Sequence, residues 1–147
     1  MDKKYYIALF NEETWNEFLE KGSLVYGTTS KEQRRMEATN PGDLLICYVA
    51  KLSYFVGLLE ITSKAYLDDH PIWKNDIYPV RVNVRPIYSL KAINGIPVLG
   101  LKEKLSMFGK LKDPRNWGGI IFRRSLTELQ KHDAKLIIEE LRAASEE

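Results

Sequence analysis

The chain has a single cysteine among its 147 residues, Cys47, and it lies inside an apolar run. That excludes a disulfide framework and a cysteine zinc site. The neighbours Ile46 and Tyr48 provide neither the base nor the open, electropositive surroundings that a nucleophilic thiol needs. Histidine is nearly as scarce. His70 and His132 stand apart, in polar surroundings and without metal-ligand spacing, and read as surface residues. No apolar run approaches the roughly 18 residues of a membrane span, and the six apolar residues after MDKK are too few for a signal-peptide core. A cytoplasmic protein with no membrane partner is therefore expected. There is no phosphate loop, no G-x-S-x-G and no dinucleotide fingerprint. These absences leave no catalytic set and call for no cofactor or metal.

What is present is apolar material and an uneven charge. At 44% hydrophobic residues the chain has enough to build a core, and its length suits one domain over residues 1–147, with a monomer favoured. The net charge is only +2, but the segment from Arg81 to Arg124 carries ten basic residues against two acidic ones, +8, which leaves −6 for the rest. A patch of that sign suits a polyanion, while the acidic remainder favours solubility. Solvated Lys and Arg on a long connection would have the same composition, so charge alone leaves both readings open.

The organising stretch is Asn40 to Ile61, NPGDLLICYVAKLSYFVGLLEI. Asn40-Pro41-Gly42-Asp43 has turn chemistry: Pro presets φ, Gly permits positive φ, and Asn and Asp bond their own backbone. Leu44 to Val49 and Tyr54 to Ile61 then read as the strands of a central hairpin. Their unbroken apolarity implies cover on both faces. Upstream, Tyr5 to Phe10 is a first strand. Asn11 caps a helix with Glu12 and Glu13 in its first turn and Trp15, Phe18 and Leu19 on one face, and Gly22 ends it. Ser23 to Tyr26 is β-prone, Gly27-Thr28-Thr29-Ser30 forms a small-residue loop, and Lys31 to Thr39 is a short helix carrying Arg34 and Arg35.

Downstream, Lys64 to Asp76 reads as irregular and polar, and Tyr78 to Val84 as a strand ended by Pro86. In that strand Val80, Val82 and Val84 alternate with an outer face of Arg81, Asn83 and Arg85. Leu90 to Gly119 is rich in Gly and Pro, with at most a short helix near Leu101 to Met107, and Gly119 to Phe122 reads as a last strand. Ser125-Leu126-Thr127-Glu128 matches a capping box opening a closing helical segment with an interruption near His132.

Aromatic residues stand beside small or polar ones at Tyr26, Tyr48, Trp73 and Trp117. Planar walls of this kind suit a nucleobase, which stacks while polar groups read its edge. Any single aromatic is more often core, but Trp73 lies among Pro71, Lys74, Asn75 and Asp76, with no apolar period around it.

In order, YYIALFN, a helix, VYGTT, KEQRR, PGDLLICYVAKLSYFVGLLEI and YPVRVNV resemble the EVE domain, a member of the PUA-like superfamily that also contains the YTH readers of methylated adenine. The resemblance covers nearly the whole chain. It implies an α+β fold, a PUA-like open β-barrel with peripheral helices, and a non-catalytic pocket for a modified or flipped base in RNA or DNA. By resemblance, Asn11 bonds a base edge and Tyr26 forms a wall where the family more often has Trp. Gly27 and Thr28 line the floor, and Trp73 falls at a second wall. Leu9 stands where YTH readers tend to carry a basic residue. Two walls supply roughly 2 to 6 kcal/mol, so useful affinity requires phosphate contacts. Lys31, Arg34, Arg35, Arg81, Arg85, Lys110 and Arg115 are the candidates. Two other readings stay open: a small ASCH-like hydrolase of modified nucleosides using Thr28 and Lys31 with an acid not apparent in the sequence, and a protein-interaction module.

Overall fold

The computed structural model describes residues 3–101, 104–106 and 124–146. Its centre is the expected hairpin. Asn40 to Asp43 turns with Gly42 at φ +98°, where an L side chain would be strained, and Asp43 closes the turn by accepting from the amides of Lys4 and Asn40 at 3.0 and 2.9 Å. Out of that turn run β3 (Leu44–Val49) and its antiparallel partner β4 (Tyr54–Ile61). On the other side of β3 lies β1 (Tyr5–Phe10), parallel to it and joined to it through α1 (Glu12–Glu20), β2 (Val25–Thr28) and α2 (Gln33–Glu37).

The remaining described elements are β5 (Tyr66–Leu67), β6 (Val80–Ser89), β7 (Ile96–Pro97), β8 (Thr127–Leu129) and α3 (Lys131–Ser145). The strands form one curled, half-barrel sheet in the order β2-β6-β4-β3-β1-β8, with β5 beside β6 and β7 beside β4. The fold is thus the α+β half-barrel with peripheral helices that the family resemblance implied.

The continuous apolarity of β3 has a direct physical origin, because it is covered on both faces. Leu45, Cys47 and Val49 point into the barrel with Tyr6, Ala8, Phe10, Val80, Val82 and Val84, where Trp15 and Phe18 of α1 and Met36 of α2 close the interior. Leu44, Ile46 and Tyr48 point outward onto Ala134, Ile137 and Leu141 of α3. Asn11 caps α1 as read from the sequence: its Oδ1 accepts from the Thr14 amide at 2.7 Å, and its own amide donates to Thr14 Oγ1.

Three expectations are corrected. β6 does not stop at Pro86 but runs to Ser89. Leu58 pairs with Tyr88 and Leu59 with Pro86, so Ile87 is an extra residue, and this bulge is where a strand tolerates a residue without an amide donor. Ser125 to Glu128 does not open a helix. Thr127–Leu129 pairs antiparallel with Tyr5 to Ile7, because the free edge of β1 offers a row of unpaired backbone groups; the closing helix begins only at Lys131. The polar stretch after Lys64 is not wholly irregular, since Tyr66 and Leu67 add a two-residue strand beside Val80 and Arg81. The expected strand over Gly119 to Phe122 lies outside the described residues, as do residues 102, 103 and 107 of the expected helix near Leu101 to Met107; Val98–Leu101 is a 3-10 turn.

Candidate functional site

At the end of the half-barrel where β1 stops and α1 starts, a cavity of about 330 Å³ opens between the end of β2 with the residues after it, the Trp73 loop and the Arg124-Ser125 turn. Gly27 and Thr28, expected in a loop, are the last residues of β2, paired with Arg81 and Val80. Its polar lining consists of Asn11, Thr14, Thr28, Thr29, Glu32, Arg124 and Ser125, and its aromatic lining of Phe10, Tyr26, Trp73 and Tyr78. Asn11, Tyr26, Gly27, Thr28 and Trp73, singled out in the sequence, are therefore brought together. Tyr48 is not: it faces the outer core and packs edge-on against Phe55 at 5.7 Å, because alternation along β3 sends it away from the barrel interior. Trp117, Lys110 and Arg115 lie outside the described residues.

Tyr26 is 1% exposed and lines the cavity. Its ring packs on Phe10 at 5.2 Å, its hydroxyl shares a 2.5 Å hydrogen bond with Ser125 Oγ, and it donates to the Leu9 carbonyl at 3.3 Å. Ser125 Oγ also accepts from the Leu9 amide, so this one hydroxyl ties the turn before β8 to β1 and β2. Burial pushes the Tyr26 phenol well above its ordinary pKa, the negative charge of Glu32 adding to that shift and the bonds to Ser125 and Leu9 opposing it.

The Trp73 wall is held from behind. Trp73 is 5% exposed, and Tyr78 meets its ring edge-on at 5.4 Å. A Cβ on Gly27 would stand 2.7 Å from the Trp73 ring and 2.8 Å from the Tyr78 carbonyl, so Gly27 is small because Trp73 itself occupies the space. Arg81 lies 5.5 Å from the centroid of the same ring. The expected role of Arg81 on an outer cationic face is corrected. It is 1% exposed, donates to the carbonyls of His70, Ile77 and Tyr78, and pairs with Asp68 at 3.5 Å. A guanidinium has enough donors to satisfy several carbonyls at once, and here it fastens the Trp73 loop onto β6. Tyr78 in that loop has φ +47°, a conformation that side chains rarely adopt and that the Arg81 contacts hold.

Of the other basic candidates, Lys31 and Arg34 are exposed on the short helical segment beside the cavity. Arg35 is half-buried and 3.8 Å from Glu32, and Arg85 is exposed but bridged to Glu60. Sequence reasoning did not single out Phe10, Thr14, Thr29, Glu32, Tyr78, Arg124 or Ser125 as site residues. Tyr78 and Thr29 were signalled by their proximity to Trp73 and Thr28. Nothing local marks Glu32, and Ser125 imitates a helix cap.

The EVE domain family matches residues 4–140. This chain belongs to that family. A UPF0310 protein of Pyrococcus abyssi is 30% identical over 145 residues, covering 90% of this chain and 96% of its own length. Among solved structures, the Pho92 YTH domain in complex with m6A superposes with a TM-score of 0.70 at 18% identity, covering 95% of this chain and 84% of that one. The YTH domain of Zygosaccharomyces rouxii MRB1 protein, in complex with N6-methyladenosine RNA, gives 0.66 at 20% identity, with 95% and 86% covered. At such identities the likeness establishes that this EVE domain and the YTH domains share a fold. Among the described residues of this EVE domain, no cluster of His, Cys, Asp and Glu could hold a metal ion, and no helix is long and apolar enough to cross a membrane.

Proposed function

We propose that this EVE domain is a non-enzymatic nucleic-acid-binding module that takes a modified base, out of its stack, into the cavity between Trp73 and Asn11. The observation that carries the reading is the convergence of aromatic residues, small residues and hydrogen-bonding groups on one cavity of about 330 Å³ at the barrel end. Stacking on an aromatic face is tolerant of base identity, while the polar groups around it discriminate between base edges. The fold shared with YTH domains solved in complex with RNA or m6A supports it. Exposed Lys31, Arg34 and Arg124 stand near the cavity and would meet phosphates.

The test is a titration of intrinsic Trp fluorescence with methylated and unmethylated RNA and DNA oligonucleotides at low and moderate salt. Modification-dependent quenching that is lost in Trp73→Ala, with the fold of the variant checked by circular dichroism, is the expected result. Binding that depends on salt but ignores modification would reduce the protein to a charged platform.

A hydrolase reading gains one feature from the structure, since Glu32 is an acid that lines the same cavity as Thr28. Lys31 does not line it, however, and Arg124 is the cation among the described lining residues. An arginine stays protonated and is a poor proton carrier, which favours binding over turnover. Release of free cytidine from acylated cytidine would reverse that preference.

A further inference from the structure

Glu32 is the one carboxylate among the described residues lining the cavity, and its chemistry narrows what the cavity accepts. It sits at the end of the 3-10 turn Ser30–Glu32, with its backbone amide bonded to the Thr29 carbonyl at 3.0 Å, so its side chain is anchored beside the small-residue loop. That side chain is only 17% exposed. Its nearest countercharge, Arg35, lies 3.8 Å away, beyond hydrogen-bond reach, and among the described residues no side-chain or backbone donor bonds its oxygens. A mostly covered carboxylate with unfilled acceptor sites, set in the wall of an open cavity, seeks donors from whatever enters.

The other polar groups of the lining are largely committed. Asn11 Oδ1 is taken by the Thr14 amide, and Thr14 Oγ1 accepts from Asn11 and donates back to its carbonyl. Ser125 Oγ is shared by the Leu9 amide and the Tyr26 hydroxyl. Glu32 is thus the strongest acceptor still open to a ligand.

Resting on the base-pocket reading above, we infer that Glu32 is the specificity-determining residue of this cavity and selects bases that present an exocyclic N–H. Adenine, cytosine and guanine carry such a donor, and N6-methyladenine and 5-methylcytosine retain one. Thymine and uracil turn a keto oxygen toward the same place, and an oxygen facing a carboxylate is repelled. N6,N6-dimethyladenine has lost its last exocyclic N–H and is excluded by the same rule. A hydrogen bond to a charged acceptor corresponds to about a ten- to hundred-fold preference.

The experiment compares short single-stranded oligonucleotides of otherwise identical sequence with one variable base: adenine, N6-methyladenine, N6,N6-dimethyladenine, cytosine, 5-methylcytosine or thymine. Affinities are measured for the wild type, Glu32→Gln and Trp73→Phe at one salt concentration. In the wild type, N6-methyladenine should bind about ten-fold or more above N6,N6-dimethyladenine, and 5-methylcytosine by a similar margin above thymine. Glu32→Gln should shrink both margins to within about three-fold, because an amide offers a weaker acceptor and a donor of its own. Glu32 lies in a short surface segment, so Gln should leave folding intact, and a matched melting temperature checks this.

Equal wild-type affinity within each of those two pairs, or margins unchanged in Glu32→Gln, overturns the inference. If at the same time affinities still vary with the base and fall in Trp73→Phe, the base-pocket reading survives. Affinities indifferent to the base and to Trp73 overturn both.

Discussion

Gly27 has no side chain because the Trp73 ring and the Tyr78 carbonyl already fill the space that one would take. Gly27→Ala is therefore expected to push the ring off β2 and lower stability by about 1–3 kcal/mol, the usual penalty of overpacking; denaturant unfolding and the near-UV signal of Trp report it. Arg81 acts at the same scale and on the same wall. Replacing it by Leu leaves carbonyls of the Trp73 loop without a donor, and roughly 2–4 kcal/mol of destabilisation is expected. Arg81→Lys should recover only part of that, since one ammonium cannot reproduce the guanidinium fork. Tyr26 sets an alkaline limit. Its phenol is pushed up by burial, so the folded state favours the protonated form. Its contribution is fully present below the unfolded value of about 10 and is lost as pH rises through the higher folded value, at up to about 1.4 kcal/mol per pH unit. Urea midpoints at increasing pH should fall above about pH 10. Tyr26→Phe should make the fall shallower without abolishing it, because burial raises Tyr6, Tyr48, Tyr66 and Tyr78 as well.

Among the elements, β3 and α3 depend on each other. The outward residues Leu44, Ile46 and Tyr48 would face solvent without Ala134, Ile137 and Leu141, so the helix is half of a core and not an appendage. Ile137→Ala is expected to cost about 2–5 kcal/mol through lost burial and the cavity left behind, measured by chemical denaturation. α3 is also pinned at its first turn, where buried Asp133 accepts from the amide and hydroxyl of Ser106 at 2.7 and 2.9 Å. The elements differ in how far the sequence disclosed them. The hairpin, the α1 cap and the Gly22 and Gly42 turns were legible because each is decided by residues within a few positions of one another. β8 was not, since Thr127–Leu129 is a strand only because β1 presents it an open edge. β6 was read short because Pro86 ends most strands, and the bulge opposite Leu58 and Leu59 that admits it depends on a partner strand.

At the scale of the whole molecule, the cavity lies at one end of the half-barrel; exposed Arg124 lines it, and exposed Lys31 and Arg34 are within two positions of its lining residue Glu32. If each meets one phosphate, the logarithm of the binding constant should fall with the logarithm of salt by about 0.7 per contact on a single strand. Lys31→Ala should then reduce that slope by about one contact in a fluorescence titration. Arg81, counted with the basic segment in the sequence but buried in the fold, should weaken binding only through the Trp73 loop. Arg81 is one of the ten basic residues from Arg81 to Arg124, yet it is buried and serves the protein itself, which composition could not reveal.

The linear order of apolar runs, caps and turn residues was enough to determine the strands of the central hairpin, the doubly covered sheet and the family resemblance. Short-range sterics and hydrogen bonding decide those features, and they are written locally. Which groups share the cavity was decided only by the tertiary structure. Tyr26 and Ser125 meet across 99 positions of sequence, and Glu32 faces the cavity because β2, the Trp73 loop and the turn before β8 close around it. The curl of the sheet that brings those segments together is a cooperative result of packing two cores on its two faces, and no local pattern records where its ends will converge.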